Sequence, residues 1–199
     1  MGGLENFLVN ELSRFGLWAV FITMTLESAC IPIPSEVVMP YAGILVARGH
    51  YTLAQVVLAG SLANLTGSAL AYAVGRYGGR NFIERYGKYI FLSRKHLALA
   101  DKWFDRHGQV TVFVSRMLPA VRTFISLPAG IGRMNFLRFA LYSFLGSLPW
   151  NLVLVYLGIV FADNWQVMQG YLHQANLVLI GIMLLVVLLA WRWWKRRRK

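Results

Sequence analysis

Long apolar runs dominate the chain, and short polar or basic segments separate them. As helices, residues 53–75 and 136–162 are each long enough to cross a hydrocarbon core of about 30 Å, and residues 176–191 form a last apolar run. Residues 15–47 and 109–132 are also apolar, but prolines interrupt them. One helix over 15–47 would extend about 50 Å, far beyond such a core. The pattern therefore predicts an all-α polytopic membrane protein.

The prolines in the two interrupted runs predict re-entrant helical hairpins. Pro32 and Pro34 break the first run, and Pro119 and Pro128 break the second. Broken backbone at membrane depth persists only where protein or water satisfies its polar groups. Each broken run therefore points to a polar site held between half-helices, although residues 15–31 are long enough to raise a full crossing as the alternative.

The two halves of the chain repeat the same order of elements, a broken hairpin and then a full span. Pro40-Tyr41-Ala42-Gly43-Ile44 resembles Pro128-Ala129-Gly130-Ile131, and Gly60-Ser61-Leu62 matches Gly146-Ser147-Leu148. Asn64 and Asn151 follow at similar offsets, and we expect them to hydrogen-bond between helices. The prediction is one membrane domain over residues 1–199, made of repeat 1 (about 15–75), a basic amphipathic linker (76–107), repeat 2 (about 108–162), a C-terminal span (176–191) and a basic tail (192–199).

Composition and charge agree with the membrane class. Hydrophobic residues make up 57% of the chain and charged residues only 14%, against roughly 25% charged in soluble domains. The net charge of +12 would suit nucleic acid, but the basic residues cluster in the linker and the tail, directly after apolar runs. This is the pattern of cytoplasmic loops, so anionic lipid headgroups, not nucleic acid, are the expected electrostatic partners.

The same charge bias predicts the topology. A cytoplasmic linker and tail place the C-terminus inside the bacterial cytoplasmic membrane and the N-terminus outside. The first hairpin then enters from outside and the second from inside. This is an inverted repeat, an arrangement that transporters use with the substrate site near the midplane.

Four charged residues lie inside the broken segments, Glu27 and Glu36 in the first and Arg116 and Arg122 in the second. On unbroken helices the glutamates would lie about 180° apart and the arginines about 120° apart. The proline breaks allow each pair to turn toward a common centre. The half-helix that begins near Ser35 would also point its positive end inward, with Ser35 as its cap.

The chemistry of these side chains predicts their roles. The guanidinium fork of arginine suits phosphate oxygens and stays protonated, so Arg116 and Arg122 are predicted to bind a phosphate headgroup. Glutamate can titrate, so Glu27 and Glu36 are predicted to carry protons or to gate. The alternative is that the two glutamates and two arginines only neutralise one another. The four histidines lack ligand spacing, so no metal and no cofactor is expected.

On these motifs the chain resembles the DedA family, also described as carrying the VTT or SNARE-associated domain. The resemblance rests on Glu27-x4-Pro32-x-Pro34-x-Glu36 and on Arg116-x2-Pro119-x2-Arg122, with Pro128-Ala129-Gly130 beyond. Ser115 departs from the glycine that many members carry. The resemblance implies two facing re-entrant hairpins, transport of lipids between bacterial leaflets, coupling to proton motive force in some members, and functional acidic and arginine positions at these four residues.

The expected function is a lipid flippase rather than an enzyme. The first motif looks most like members assigned to undecaprenyl phosphate. The alternatives are a flippase or scramblase for phosphatidylethanolamine or another phospholipid, and a proton-coupled exchanger of small ions. A membrane lipid-phosphate phosphatase would need a histidine nucleophile after Ser115-Arg116, and residues 117–135 contain none. The sequence leaves self-association into a homo-oligomer open.

Overall fold

The structure is a computed structural model, and it describes residues 12, 14–31, 33–79, 94–118 and 121–164 of the 199-residue chain. Residues Met1–Ala162 form one compact unit, and Asp163–Lys199 form a second. The predictions for Pro32, Pro119, the C-terminal span, the basic tail and linker residues 80–93 lie outside the described residues.

All regular structure within the described residues is helical, which confirms the predicted all-α class there. The helices are α1 (Leu17–Ser28), α2 (Ser35–Ala47), α3 (Leu53–Ala73), α4 (Arg94–Arg116), α5 (Ser126–Ile131) and α6 (Phe136–Val160).

The two long apolar helices coincide with the spans that the sequence predicts at 53–75 and 136–162. Helix α3 continues as a π-helical segment over Val74–Gly79, and together they form one apolar helix of 27 residues. Helix α6 has 25 residues. Both are long and apolar enough to cross a membrane. A capping box between Thr52 and Gln55 begins α3, and the Asn135 side chain accepts a bond from the backbone of Arg138 to begin α6. Such caps satisfy backbone donors that would otherwise lack partners.

The helices within the interrupted runs are short. Helix α1 has 12 residues and α2 has 13, which corresponds to about 18–20 Å each. Each is by itself shorter than a helix that crosses a hydrocarbon core of about 30 Å. Pro34 occupies the N-cap position of α2, while Pro128 lies inside the six-residue helix α5.

Helix α4 differs from the boundary that the sequence predicts at residue 107. It runs without interruption from Arg94 to Arg116 and joins the end of the predicted linker to the first arm of the second broken segment. The reason is that the boundary marks a change from mixed to apolar composition, and no proline accompanies it. Gly108 lies within this helix, and a Cβ atom there would come within 3.0 Å of the Met134 sulfur.

The packing follows a crossed pattern. Helix α1 packs on α3 and α4 packs on α6, whereas α2 packs mainly on α6 and α5 packs on α3 and its π-helical segment. Glycines permit these close approaches, because a Cβ atom on any of six of them would collide with facing backbone. These are Gly43, Gly67, Gly75, Gly130, Gly146 and Gly158. The long helices α3 and α6 also pack on each other, so they form the centre of the described unit.

Two apolar clusters fill the interior, while many large apolar side chains point outward. The larger cluster joins α1, α2, α3 and α6 around Met24, Met39 and Val155, and the smaller one surrounds Tyr72 and Phe139. Exposed apolar residues occur along the outer faces, among them Trp18, Leu58, Leu70, Leu137, Leu141 and Val153. So many large apolar side chains on the outer faces of the helices fit a lipid environment.

Candidate functional site

A buried ion pair joins the two broken segments. Glu27 lies next to the end of α1, and Arg122 lies in the turn that precedes α5. Their residues are 5% and 4% exposed, and Nη2 of Arg122 donates to a carboxylate oxygen of Glu27. The guanidinium carbon of Arg122 also lies 5.7 Å from the centroid of the Trp150 ring, within the range of a cation–π contact. The pair therefore links elements that are 95 residues apart in sequence.

Ser35 has a role other than the predicted helix cap. It is the first residue of α2, and no side chain caps that helix. Its hydroxyl instead accepts a second hydrogen bond from Nη2 of Arg122. A hydrogen bond from a charged donor is stronger than one from a backbone amide. The Ser35 hydroxyl therefore accepts from the buried guanidinium and not from the backbone of its own helix. The capping prediction was wrong, but Ser35 belongs to the site.

Arg116 is buried without a carboxylate partner. It is the last residue of α4, it is 2% exposed, and its Nη2 donates to the hydroxyls of Ser126 at 3.0 Å and Ser143 at 3.2 Å. No ion pair to Arg116 occurs among the described residues, and its buried Nε has no hydrogen-bond partner there. Two hydroxyls satisfy donors but leave the charge uncompensated.

Glu36 lies in the first turn of α2 and is half-buried. Within the described part of the chain it forms no ion pair, although its charge acts on Glu27 as a like charge. The four residues that the sequence singled out are thus brought into one neighbourhood but not paired two against two. Within the part of the chain that the structure describes, one of these pairs forms and Arg116 remains a buried positive charge without an ion pair. The roles of the four residues in substrate binding and proton coupling stay predictions.

A chain of buried polar side chains continues from the pair into the long helices. Ser28 donates to Oδ1 of Asn64 at 2.9 Å, Asn64 donates to Asn151 at 3.4 Å, and Asn151 donates to Ser61 at 3.0 Å. The two asparagines form the expected interhelical bonds between α3 and α6. The sequence argument missed Ser28, although its position directly after Glu27 was a usable signal.

Other side chains around the site also escaped the sequence argument. They are Ser126, Ser143 and Trp150, together with Cys30, whose thiol contacts the Thr123 carbonyl at 3.4 Å. Cys30 has a positive φ of 70°, which is uncommon for a residue with a side chain. The one usable signal was the presence of hydroxyl residues inside apolar runs, where each needs a polar partner. Nothing in the local sequence indicates which partner each one finds.

A family model described as the VTT domain matches residues 33–160. The chain belongs to the VTT-domain family. The match confirms the family suggested by the glutamate and arginine motifs. It begins after Glu27, and it includes Glu36, Arg116 and Arg122.

Relatives of this VTT-domain protein cover most of its length. It is 43% identical over 199 residues to the uncharacterized membrane protein YkoX of Bacillus subtilis, covering 100% of the chain and 86% of the relative. It is 36% identical to undecaprenyl phosphate transporter A of the same organism, covering 83% and 81%. A protein of Lactococcus lactis named alkaline phosphatase-like is 30% identical, covering 94% and 90%. No solved structure gives a significant match. With its apolar helices and these relatives, the VTT-domain protein is a bacterial membrane protein.

Proposed function

We propose that this VTT-domain protein moves a phosphate-bearing lipid between the leaflets of the bacterial cytoplasmic membrane, and that the lipid is undecaprenyl phosphate. A transporter role in this family agrees with the relative named undecaprenyl phosphate transporter A. The observation that carries the proposal is Arg116. A guanidinium buried in an apolar protein without a carboxylate is costly, and a bound anion would offset that cost.

A phosphate group matches the donors at this site. The Nε atoms of Arg116 and Arg122 are both buried without a hydrogen-bond partner in the described part of the chain. Phosphate oxygens accept the parallel bonds that a guanidinium fork offers. A phosphate oxygen that bonds to Nε of Arg116 would leave the bonds to Ser126 and Ser143 in place, because those bonds use the two N–H groups of Nη2.

The Glu27–Arg122 pair supplies a means of coupling. A phosphate and the Glu27 carboxylate compete for the same guanidinium of Arg122. Protonation of Glu27 would weaken its hold on Arg122 and favour the phosphate, so substrate binding and proton binding would be linked. Glu36 is half-buried and close enough to act on Glu27, which suits a residue that passes protons between the pair and the surface.

The crossed packing supports an inverted repeat of two re-entrant hairpins. Each short helix after a break packs on the long helix of the other half, α2 on α6 and α5 on α3. The glycines of the two similar motifs occupy equivalent contacts, Gly43 against Val155 and Gly130 against Tyr72. With a cytoplasmic linker, the hairpins would enter from opposite faces and meet at the charged site, as alternating access requires.

The direct test is lipid flipping in proteoliposomes with Arg116→Gln. Arg116 is the informative position because its replacement leaves the Glu27–Arg122 pair intact. We expect transport of undecaprenyl phosphate to fall at least tenfold, since a hydrogen bond to a charged group contributes about 1.5–3 kcal/mol. Arg138→Gln is the matched control, because Arg138 is exposed at the start of α6.

The same vesicles also test the identity of the lipid substrate and the effect of a pH gradient. Flipping of undecaprenyl phosphate is compared with that of phosphatidylethanolamine, each with and without a pH gradient, and phosphate release is measured in parallel. Wild-type flipping by Arg116→Gln would contradict the phosphate-binding role. Flipping of phosphatidylethanolamine faster than undecaprenyl phosphate would mean that phosphatidylethanolamine is the substrate. Release of phosphate would favour an enzyme.

A further inference from the structure

A cavity lies apart from the charged site, where α3 passes into its π-helical segment. Its volume is about 1000 Å³, and residues of α3, α4 and the start of α6 line it. None of the four charged residues of that site lines the cavity, and Arg76 in the cavity wall lies about 18 Å of helix from Asn64. The cavity is therefore distinct from the site proposed for transport, and it requires its own explanation.

One wall of the cavity is apolar and open to the outside. Leu65 and Leu70 of α3 and Phe136 of α6 line it, and Leu70 and Phe136 are 56% and 44% exposed. In a membrane, this outward face of α3 meets lipid chains rather than water. The wall is thus suited to an acyl chain that lies along the helix.

The polar end of the cavity holds an arginine whose position is fixed. Nη1 of Arg76 donates to the Tyr72 hydroxyl at 2.8 Å, and that hydroxyl donates in turn to the Met134 carbonyl. The Tyr72 ring also stacks on Phe139 with centroids 4.8 Å apart. Because one nitrogen is held in this way, the remaining donors of Arg76 are presented to the cavity with little loss of side-chain freedom.

A second arginine lines the same end from an unusual backbone position. Arg133 follows α5 in a Schellman motif, in which Met134 bonds back to the Ala129 carbonyl and Arg133 bonds to the Gly130 carbonyl. Glycine is usual at this left-handed position, yet here an arginine has a φ of 49°. Its exposed side chain makes no hydrogen bond or ion pair within the described ranges. The guanidinium is therefore available to a ligand.

We propose that this cavity binds an anionic phospholipid, with its phosphodiester held by Arg76 and Arg133 and an acyl chain along the apolar wall. Asp105 is the acidic residue among the lining side chains. Two guanidinium groups and one carboxylate leave one excess positive charge, which complements the single negative charge of a phosphodiester. The lipid would bind as a resident partner beside the transport site and would not be the transported substrate.

The test measures binding of dioctanoyl phosphatidylglycerol to the full-length protein in detergent, by native mass spectrometry. Arg76→Gln and Arg133→Gln are each expected to weaken binding about tenfold, because each removes charge-assisted hydrogen bonds. Arg138→Gln, a change at the same end of α6 but outside the cavity, should alter binding less than about twofold. Asp105→Asn should strengthen binding, an effect that a purely structural role would not produce.

Two further probes identify the ligand class. Dioctanoyl phosphatidylcholine tests the charge requirement, and water-soluble glycerol phosphate tests the apolar wall. Both should bind more weakly than phosphatidylglycerol. The proposal is overturned if Arg133→Gln binds phosphatidylglycerol as tightly as Arg138→Gln, or if glycerol phosphate binds as well as the lipid. Because Arg133 is exposed, its variant decides the question even if Arg76→Gln fails to fold.

Discussion

The buried pair of Glu27 and Arg122 predicts an unequal response to removing its two charges. Removing one partner of a buried ion pair costs about 3–5 kcal/mol, because the other charge is left uncompensated. Because Arg116 is also buried nearby, removing Glu27 and removing Arg122 should have different costs. Glu27→Gln would leave two buried guanidinium groups with no other buried carboxylate in the described ranges, whereas Arg122→Gln would leave Glu27 with Arg116 nearby. We therefore expect Glu27→Gln to lie at the upper end of that range and Arg122→Gln at the lower end.

The measurement is thermal unfolding in a mild detergent, followed by helical circular dichroism. For a chain of this size, about 1 kcal/mol shifts the midpoint by roughly 2–4 °C, so Glu27→Gln should lower it by roughly 10 °C or more. The double variant with Gln at both positions removes both charges together. It should be less destabilised than the sum of the single variants, by about 2 kcal/mol or more.

The same experiment has clear refuting outcomes. Additive effects of the two single variants, within about 0.5 kcal/mol, would mean that the pair does not interact in the folded protein. A larger loss for Arg122→Gln than for Glu27→Gln would mean that Arg116 does not compensate the Glu27 charge. Arg138→Gln, an exposed substitution, serves as the control and should unfold within about 0.5 kcal/mol of the wild type.

Two further predictions concern how the long helices are held. Gly158→Ala should destabilise the protein by about 1–3 kcal/mol, because a Cβ there would collide with the Pro40 backbone. Gly78→Ala is the control and should be close to neutral, because nothing lies near a Cβ at that position. Equal thermal midpoints for the two variants would contradict the close approach of α2 and α6. Asn151→Leu should lower stability by about 1–3 kcal/mol, because it removes the acceptor of the buried Nδ2 group of Asn64. Unfolding midpoints report that loss, and an unchanged midpoint would mean that the polar chain between α3 and α6 does not contribute to stability.

Much of the fold could be predicted from the sequence, because a lipid environment restricts which backbone structures are possible. An uninterrupted apolar run must satisfy its backbone internally, so the helices at 53–75 and 136–162 followed from length and composition. Of the predicted breaks, Pro34 lies directly before α2, whereas Pro128 lies inside α5. The sequence did not predict the continuous helix α4. The composition changes near residue 107, which resembles a boundary, but no proline interrupts the backbone there.

The sequence by itself determined the membrane class, the two long apolar helices, the family and the four charged candidate residues. Only the tertiary structure decided which charges meet: Glu27 pairs with Arg122, Ser35 turns to Arg122 instead of capping its helix, and Arg116 is held by Ser126 and Ser143. The physical reason is that side-chain pairing depends on how helices from distant parts of the chain cross. Spacing along one helix cannot specify a contact between residues that are 95 positions apart.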